Sequence, residues 1–145
     1  MGKVQILAVL TMDGCLSSEL YDKAHQDLCL DRCGLDEIRK KAFYRVTPDY
    51  SISMLHEWRK DCTNIRYLAE ATPDTADYIN GLLRMHAVDE IILYTVPFIS
   101  GSGRHFFKSA LPEQHWTLSS LKSYPNGVCR IIYIPVSYTH LTLPT

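Results

Sequence analysis

The sequence predicts an α/β fold, with a mostly parallel central sheet that is closed by an antiparallel hairpin near its C-terminal end. Two observations support this prediction. Residues 67 to 107 follow the order strand, turn, helix, strand and small-residue loop, which is typical of a right-handed βαβ crossover between parallel strands. Later in the chain, Asn126-Gly127 separates the extended runs 116 to 124 and 128 to 136, and an Asn-Gly pair in this position is a strong hairpin signal.

The composition is that of an ordinary globular protein, and we expect one domain over residues 1 to 136. The 145 residues are 46% hydrophobic and 21% charged, so the chain can bury a core of its own. The net charge of −1 gives no electrostatic reason to expect a nucleic acid or a membrane surface as partner. No apolar run approaches the roughly 20 residues of a membrane helix.

The cysteines indicate neither a metal site nor a disulfide framework. They form no Cys-x-x-Cys pair, and no histidine cluster has ligand spacing. We therefore expect reduced thiols in a cytoplasmic protein, and no bound metal. Residues 137 to 145 resemble a translated vector read-through, and we interpret them as a non-native or disordered tail.

The first half of the chain contains weaker signals. Val4 to Thr11 has the pattern of a buried strand, and Asp13-Gly14 is a turn signal directly after it. Residues 18 to 30 are polar and indicate a loop or an irregular helix.

Residues 35 to 42 then predict a short helix that ends in basic side chains, followed by a strand over 43 to 46. Residues 51 to 55 are interpreted as a further strand, and 56 to 64 as a connection.

The crossover helix has clear signals at its start and along one face. We predict Thr72 as its N-cap and Pro73 as its first residue, with Asp74 in the first turn. The i, i+3, i+4 spacing predicts one buried face, formed by Ala76, Ile79, Leu82, Leu83 and His86. The apolar run from Ile91 to Val96 follows and is typical of a strand that is covered on both sides.

The carboxyl ends of the predicted parallel strands are where we expect a binding site. Ligands of open α/β sheets usually lie beyond these ends. Here the ends carry Glu70-Ala71-Thr72 and Gly101-Ser102-Gly103.

Three segments carry a resemblance to a known family. Leu10 to Gly14 is similar to a strand ending in Ser-x-Asp-Gly, and Glu70 to Pro73 stands in the place of Glu-Gly-Gly-Pro. The third segment, Val88 to Phe107, includes Gly101-Ser102-Gly103-Arg104 and matches in spacing over about twenty positions. Together they resemble the dihydrofolate reductase-like superfamily, and the reductase domain of bacterial riboflavin biosynthesis most closely.

This resemblance implies a three-layer fold and hydride transfer from NADPH to a pyrimidine or pterin-like heterocycle, in a homodimer. It implies cofactor binding by the start of the crossover helix and by two loops, namely by Thr47, Asp49, Thr72, Pro73, Asp74, Thr75, Ala76, Gly101, Ser102 and Gly103. It implies substrate binding by Asp13, Arg39 and Glu70. No residue is identified as the proton donor.

A catalytically silent domain of the same fold, which binds a small ligand or dimerises, is the alternative. Ala71 and Thr72 stand where the family has glycines, and Asp74 puts a negative charge beside the expected pyrophosphate. The segment 50 to 64 is also short, and a structure in which Trp58 fills the cleft beside Thr72 would favour this alternative.

Overall fold

The computed structural model describes residues 2–16, 33–60, 64–101, 104–108 and 110–136. Several sequence predictions lie outside these residues: those for 18–30, Ser102, Gly103 and 137–145, and the expected reduced thiols of Cys29 and Cys62. Within the described part of the chain, Cys15 and Cys129 are free thiols. No helix in that part is long and apolar enough to cross a membrane.

The secondary structure alternates between strands and helices before it ends in two long strands. In chain order the elements are β1 (Lys3–Leu10), β2 (Cys15–Leu16), α1 (Leu35–Lys41), β3 (Tyr44–Arg45), α2 (Ile52–Trp58), β4 (Arg66–Glu70), α3 (Ala76–Arg84), β5 (Glu90–Thr95), β6 (Arg104–His105), β7 (Trp116–Ser123) and β8 (Cys129–Pro135). The main sheet has the order β3-β4-β1-β5-β8-β7, and β2 pairs with β6. Strands β3, β4, β1 and β5 are parallel, whereas β8 is antiparallel to β5 and β7. The predicted architecture is therefore confirmed.

Strand β1 lies at the centre of the parallel part and is buried on both faces. Val4, Ile6 and Ala8 contribute to a cluster with the buried side chains of α2 and α3. Leu7 and Val9 contribute to a second cluster on the opposite face, with Leu35 of α1. The helices thus cover the sheet from both sides, and this gives the molecule its three layers.

The start of α1 is anchored by two tyrosines. The hydroxyl groups of Tyr94 and Tyr124 both donate to the carbonyl oxygen of Cys33, over 2.8 and 2.7 Å. Burial raises the pKa of Tyr94 to about 12, so the hydroxyl remains a donor at alkaline pH as well as at neutral pH. These bonds fix the helix that carries Arg39.

Helix α3 has the predicted buried face but begins later than predicted. Ala76, Ile79, Leu82 and Leu83 are buried, whereas His86 follows the helix, is exposed and has a φ of 52°.

The helix begins at Ala76, with Thr75 rather than Thr72 at the N-cap position. The Thr75 hydroxyl accepts from the Thr72 amide over 2.8 Å and donates to the Glu70 carbonyl over 2.9 Å. These local bonds satisfy the backbone in a turn and delay the helix.

The predicted strand over residues 51 to 55 is wrong, because this segment begins helix α2. Ile52, Leu55 and Trp58 have helical spacing and contact the core, and Leu55 is fully buried. A Cβ on Gly81 would lie 3.0 Å from Ile52 Cδ1, so the missing side chain lets α2 approach α3 closely. Ile52 and Gly81 are far apart in the sequence, so the alternation of apolar residues over 51 to 55 did not reveal this contact.

The predicted C-terminal hairpin is confirmed. Two backbone bonds close its turn. The Gly127 amide donates to the Tyr124 carbonyl over 3.0 Å, and the Tyr124 amide donates to the Val128 carbonyl over 2.9 Å. Gly127 has a φ of 92°, a value that glycine reaches without steric cost.

Candidate functional site

Three segments meet at the carboxyl edge of the parallel strands. The amide of Ala71 after β4 donates to Leu7 of β1 over 2.7 Å, and the amide of Val96 after β5 donates to Leu10 over 2.9 Å. The amide of Met12 donates to Phe98 over 2.8 Å. The turns after β1, β4 and β5 therefore lie side by side, as expected of a ligand site in a sheet of this kind.

Asp13 connects two of these segments. Its carboxylate accepts from the Thr11 hydroxyl, from the Ser100 amide over 3.1 Å and from the Gly101 amide over 3.0 Å. These donors, with Thr11 as the largest contribution, hold the pKa of the Asp13 carboxyl well below its usual range. The side chain predicted to bind substrate is engaged in holding the loop after β5.

Glu70 lies between two arginines. Arg39 from α1 donates from Nε to Glu70 Oε1 over 3.0 Å, and its Nη2 contacts the same oxygen. Arg45 from β3 contacts Glu70 Oε2 over 3.2 Å. Two of the three predicted substrate residues, Arg39 and Glu70, are thus brought together as an ion pair. Sequence reasoning missed Arg45, because only the parallel pairing of β3 with β4 brings it beside Glu70.

The start of α3 holds the predicted cofactor residues in a tight turn. Ala71 and Thr72 do not have a positive φ, so these replacements of glycine cause no backbone strain. Thr72 and Asp74 are exposed, Pro73 and Thr75 are half-buried, and Ala76 is buried. The Thr75 amide donates to the Thr72 hydroxyl over 3.2 Å.

Thr47 and Asp49 lie in an exposed turn after β3. The Tyr50 amide donates to the Thr47 carbonyl over 3.0 Å and closes this turn. Because β3 is parallel to β4, the turn lies at the same edge of the sheet as Glu70.

The loop after β5 has open space at its glycine. Gly101 has a φ of 74°, and a Cβ placed on it would meet no atom of the described residues within 4 Å. This positive φ is a backbone conformation that glycine adopts readily and that other residues rarely adopt. Sequence reasoning missed Asn80 on α3, whose side chain forms hydrogen bonds with the segment that follows this loop. A polar residue among the apolar positions of α3 was the available signal.

Trp58 does not fill the space beside Thr72. Its ring stacks on Tyr67 near the start of β4, at 6.4 Å between centroids. The carbonyl oxygen of the next residue, Arg59, accepts from the Gly2 amide before β1 over 3.0 Å. Helix α2 therefore ends at the amino edge of the sheet, opposite the candidate site.

Two cavities also lie away from the carboxyl edge. One, of about 410 Å³, is lined by Lys3, Lys41, Asn64, Ile65 and Arg66. The other, of about 230 Å³, includes Gln5, Glu37, Glu90 and Arg130 in its lining. Both adjoin the starts of β1, β4 or β5, so we define the candidate site by its converging loops rather than by cavity volume. The described residues contain no group of three side chains suited to a metal ion.

No protein-family model and no curated protein sequence matches this chain. Solved structures do match it. A putative riboflavin biosynthesis protein from Shewanella sp. PV-4 is 11% identical with a TM-score of 0.61, and the match covers 93% of this chain and 99% of that one. RibD from Acinetobacter baumannii is 12% identical with a TM-score of 0.59, over 94% of this chain and 59% of that one.

A third match is a diaminohydroxyphosphoribosylaminopyrimidine deaminase/5-amino-6-(5-phosphoribosylamino)uracil reductase from Thermotoga maritima. It is 10% identical with a TM-score of 0.56, over 93% of this chain and 57% of that one. The chain thus spans a little over half of two of these proteins and nearly all of the first. The predicted dihydrofolate reductase-like fold is confirmed, and with it the structural resemblance to riboflavin biosynthesis proteins.

Proposed function

We propose that the protein is an NADPH-dependent reductase that acts on a pyrimidine or pterin-like heterocycle in the cytoplasm. The substrate class follows the 5-amino-6-(5-phosphoribosylamino)uracil reductase named in one structural match. The observation that supports the proposal most is the meeting of three loops at the carboxyl edge of β1, β4 and β5.

The residues at this edge fit the cofactor. Among the described residues no atom crowds the position of a Cβ on Gly101, and the first turn of α3 offers backbone amides to an anion. Thr72, Ala76 and Gly101 would hold the cofactor, and Thr47 and Asp49 would contact it from the turn after β3. NADPH would supply the hydride, while the protein supplies binding and orientation.

Glu70 and its arginines are suited to the substrate. The carboxylate can accept from a ring amide or an exocyclic amine, and Arg39 fixes its orientation. Arg39 and Arg45 place two guanidinium groups beside this carboxylate, and guanidinium groups also bind phosphate, which would suit a substrate that carries phosphate.

A catalytically silent domain of the same fold is the second candidate. One observation favours it, namely that hydroxyl groups already satisfy the amides of Thr72 and Thr75. These two amides are therefore engaged at the position where a pyrophosphate would need donors.

Dimerisation is a further part of the proposal. Strand β7 is the outer strand of the sheet, next to β8, and its outer backbone edge can pair with the same strand of a second copy. Leu118 and Leu121 on β7 are 51% and 61% exposed, opposite Tyr133 and Ile131 of β8. A second copy would bury this apolar surface. On this surface the two leucines are exposed, whereas Tyr133 is half-buried.

Calorimetric titration of the protein with NADPH tests the proposed function. We expect micromolar binding, and we expect Thr72→Trp to weaken it at least tenfold by blocking the first turn of α3. Thr117→Trp is the control, because Thr117 is an exposed threonine on β7, outside the candidate site. Asp74→Asn should strengthen binding roughly two- to fivefold, since it removes a negative charge beside the pyrophosphate.

The outcomes separate the candidates. Binding that Thr72→Trp abolishes and Thr117→Trp preserves would justify a screen of pyrimidine substrates for NADPH oxidation. A folded protein that binds no NADPH would overturn the reductase proposal and leave the silent domain. Equal binding by both tryptophan variants would move the cofactor away from α3.

A further inference from the structure

The loop between β5 and the segment after β6 is held at both of its arms. On the outgoing arm, Asp13 accepts from the amides of Ser100 and Gly101, as described above. On the returning arm, β6 pairs with β2, with His105 opposite Cys15. Beyond this short pairing, the returning arm is bonded by a side chain from α3.

That side chain is Asn80, which is 0% exposed. Its Nδ2 donates to the carbonyl oxygens of Ala76 over 2.7 Å and Phe106 over 2.8 Å. Its Oδ1 accepts from the amide of Lys108 over 3.0 Å. Both amide hydrogens and the carbonyl oxygen are thus engaged, as burial of an amide requires.

The two Nδ2 bonds connect parts of the site that are distant in sequence. Ala76 is the first residue of α3, where the proposed cofactor pyrophosphate would bind. Phe106 and Lys108 belong to the segment that follows the glycine loop. One buried side chain therefore sets the position of the loop relative to the start of the helix.

We infer that Asn80 is a positioning residue of the proposed cofactor site. It holds the returning arm while Asp13 holds the outgoing arm, so both arms are positioned before ligand binds and less conformational entropy is lost on binding. This inference rests on the proposed function for the identity of the ligand, but the ordering of the returning arm can be measured without any ligand.

Asn80→Asp is the sharpest variant, because its effect depends on pH. An ionised carboxylate cannot donate to the carbonyls of Ala76 and Phe106, whereas a protonated one can donate to one of them and accept from Lys108. Burial raises the pKa of an aspartate, so acidification to about pH 5.5 should restore much of the arrangement. The charged and titratable residues next to these contacts along the chain are Lys108 and His105 on the packed segment and Asp77 and Arg84 on α3, and the wild type at each pH accounts for their titration.

The experiment measures hydrogen exchange of the amides from 104 to 108 and, separately, NADPH affinity at both ends of the pH range. At about pH 8 we expect Asn80→Asp to exchange these amides faster and to bind NADPH roughly tenfold more weakly than wild type. At about pH 5.5 both differences should shrink. Asn80→Leu should show both defects at every pH. Asn64→Asp is the control for the substitution itself, because Asn64 is exposed near the amino edge of the sheet.

Wild-type exchange and affinity in Asn80→Asp at every pH would overturn the inference. Exchange that changes with pH, together with unchanged NADPH affinity, would also overturn it, because the ordering would then serve only the fold. If the wild type binds no NADPH, the proposed function fails and the positioning role for that cofactor fails with it. pH-dependent exchange in Asn80→Asp would then still support Asn80 as the anchor of the loop. If Asn80→Leu does not fold, the amide exchange and NADPH affinity of Asn80→Asp at the two pH values still test the inference.

Discussion

At the scale of single residues, the carboxylates of the site have different surroundings. Glu70 faces two guanidinium groups and is partly open to solvent, so it can exchange a protein partner for a ligand. Asp13 accepts from a hydroxyl and two backbone amides, which are fixed parts of adjacent segments. Glu70 is therefore the better candidate for direct contact with substrate, and Asp13 for holding the loop.

Asp13→Asn should lower the melting temperature by a few degrees and increase amide exchange at Ser100 and Gly101. The neutral amide keeps one acceptor oxygen where the carboxylate had two. The pKa of this carboxyl is lower in the folded state than in the unfolded state. The stabilisation is therefore fully present above the unfolded value of about 3.9, and is lost as pH falls through the folded value.

Thermal unfolding from neutral to strongly acidic pH checks this prediction, with Asp49→Asn as the control in an exposed turn. The difference between wild type and Asp13→Asn should be constant near neutral pH and should shrink only in strong acid. A difference that grows on acidification would show that the bonds of Asp13 do not favour its ionised form.

At the scale of elements, the packing of α2 on α3 depends on a glycine inside a helix. Gly81 costs helix α3 about 1 kcal/mol relative to alanine, but its missing Cβ accommodates Ile52. The Tyr78 hydroxyl also donates to the Tyr50 carbonyl over 2.8 Å, just before α2 begins. The two helices therefore form one layer, and α3 gives up some helix propensity for this contact.

Gly81→Ala should stabilise the protein by less than the roughly 1 kcal/mol expected from helix propensity, because the new methyl group crowds Ile52 Cδ1. In an Ile52→Val background that atom is absent, and Gly81→Ala should then add about 0.5 to 1 kcal/mol. A double-mutant cycle in urea measures this coupling. Met54→Ala is the control background, because Met54 is an exposed residue of α2. Equal effects of Gly81→Ala in all three backgrounds would contradict the close contact.

At the scale of the whole molecule, the sheet has two different edges. Strand β3 is short at one edge, whereas β7 at the other spans Trp116–Ser123 and carries exposed leucines. A long outer strand with an apolar face favours association with another copy. The proposed dimer would cover this edge. The candidate site, at the carboxyl ends of β1, β4 and β5, would stay uncovered.

Leu121→Glu should weaken the proposed dimer at least about tenfold, since it places a charge in an apolar contact. Thr117→Glu is the control, because Thr117 pairs with Ile134 on the other face of the same strand. Sedimentation velocity over a range of protein concentrations measures the association. A wild type that stays monomeric throughout, or equal weakening by both variants, would contradict a dimer that buries Leu121.

The sequence by itself was sufficient for the parts of the fold that depend on local patterns. The apolar run of β5, the buried face of α3 and the turn at Asn126-Gly127 were all predicted, because periodicity and turn chemistry are written in neighbouring residues. The resemblance to the dihydrofolate reductase-like fold rested on such segments and on their order. The rule that ligands of open α/β sheets lie beyond the carboxyl ends of the strands pointed to the edge where Asp13, Glu70 and Gly101 lie.

Only the tertiary structure decided which side chains are partners. Glu70 meets Arg39 and Arg45, which lie 31 and 25 positions away, and Asn80 meets Phe106, which lies 26 positions away. It also decided that residues 52 to 58 form a helix, because Gly81 and the core provide the surface against which that helix packs. Such contacts depend on strand order and register, which no local pattern of the chain contains.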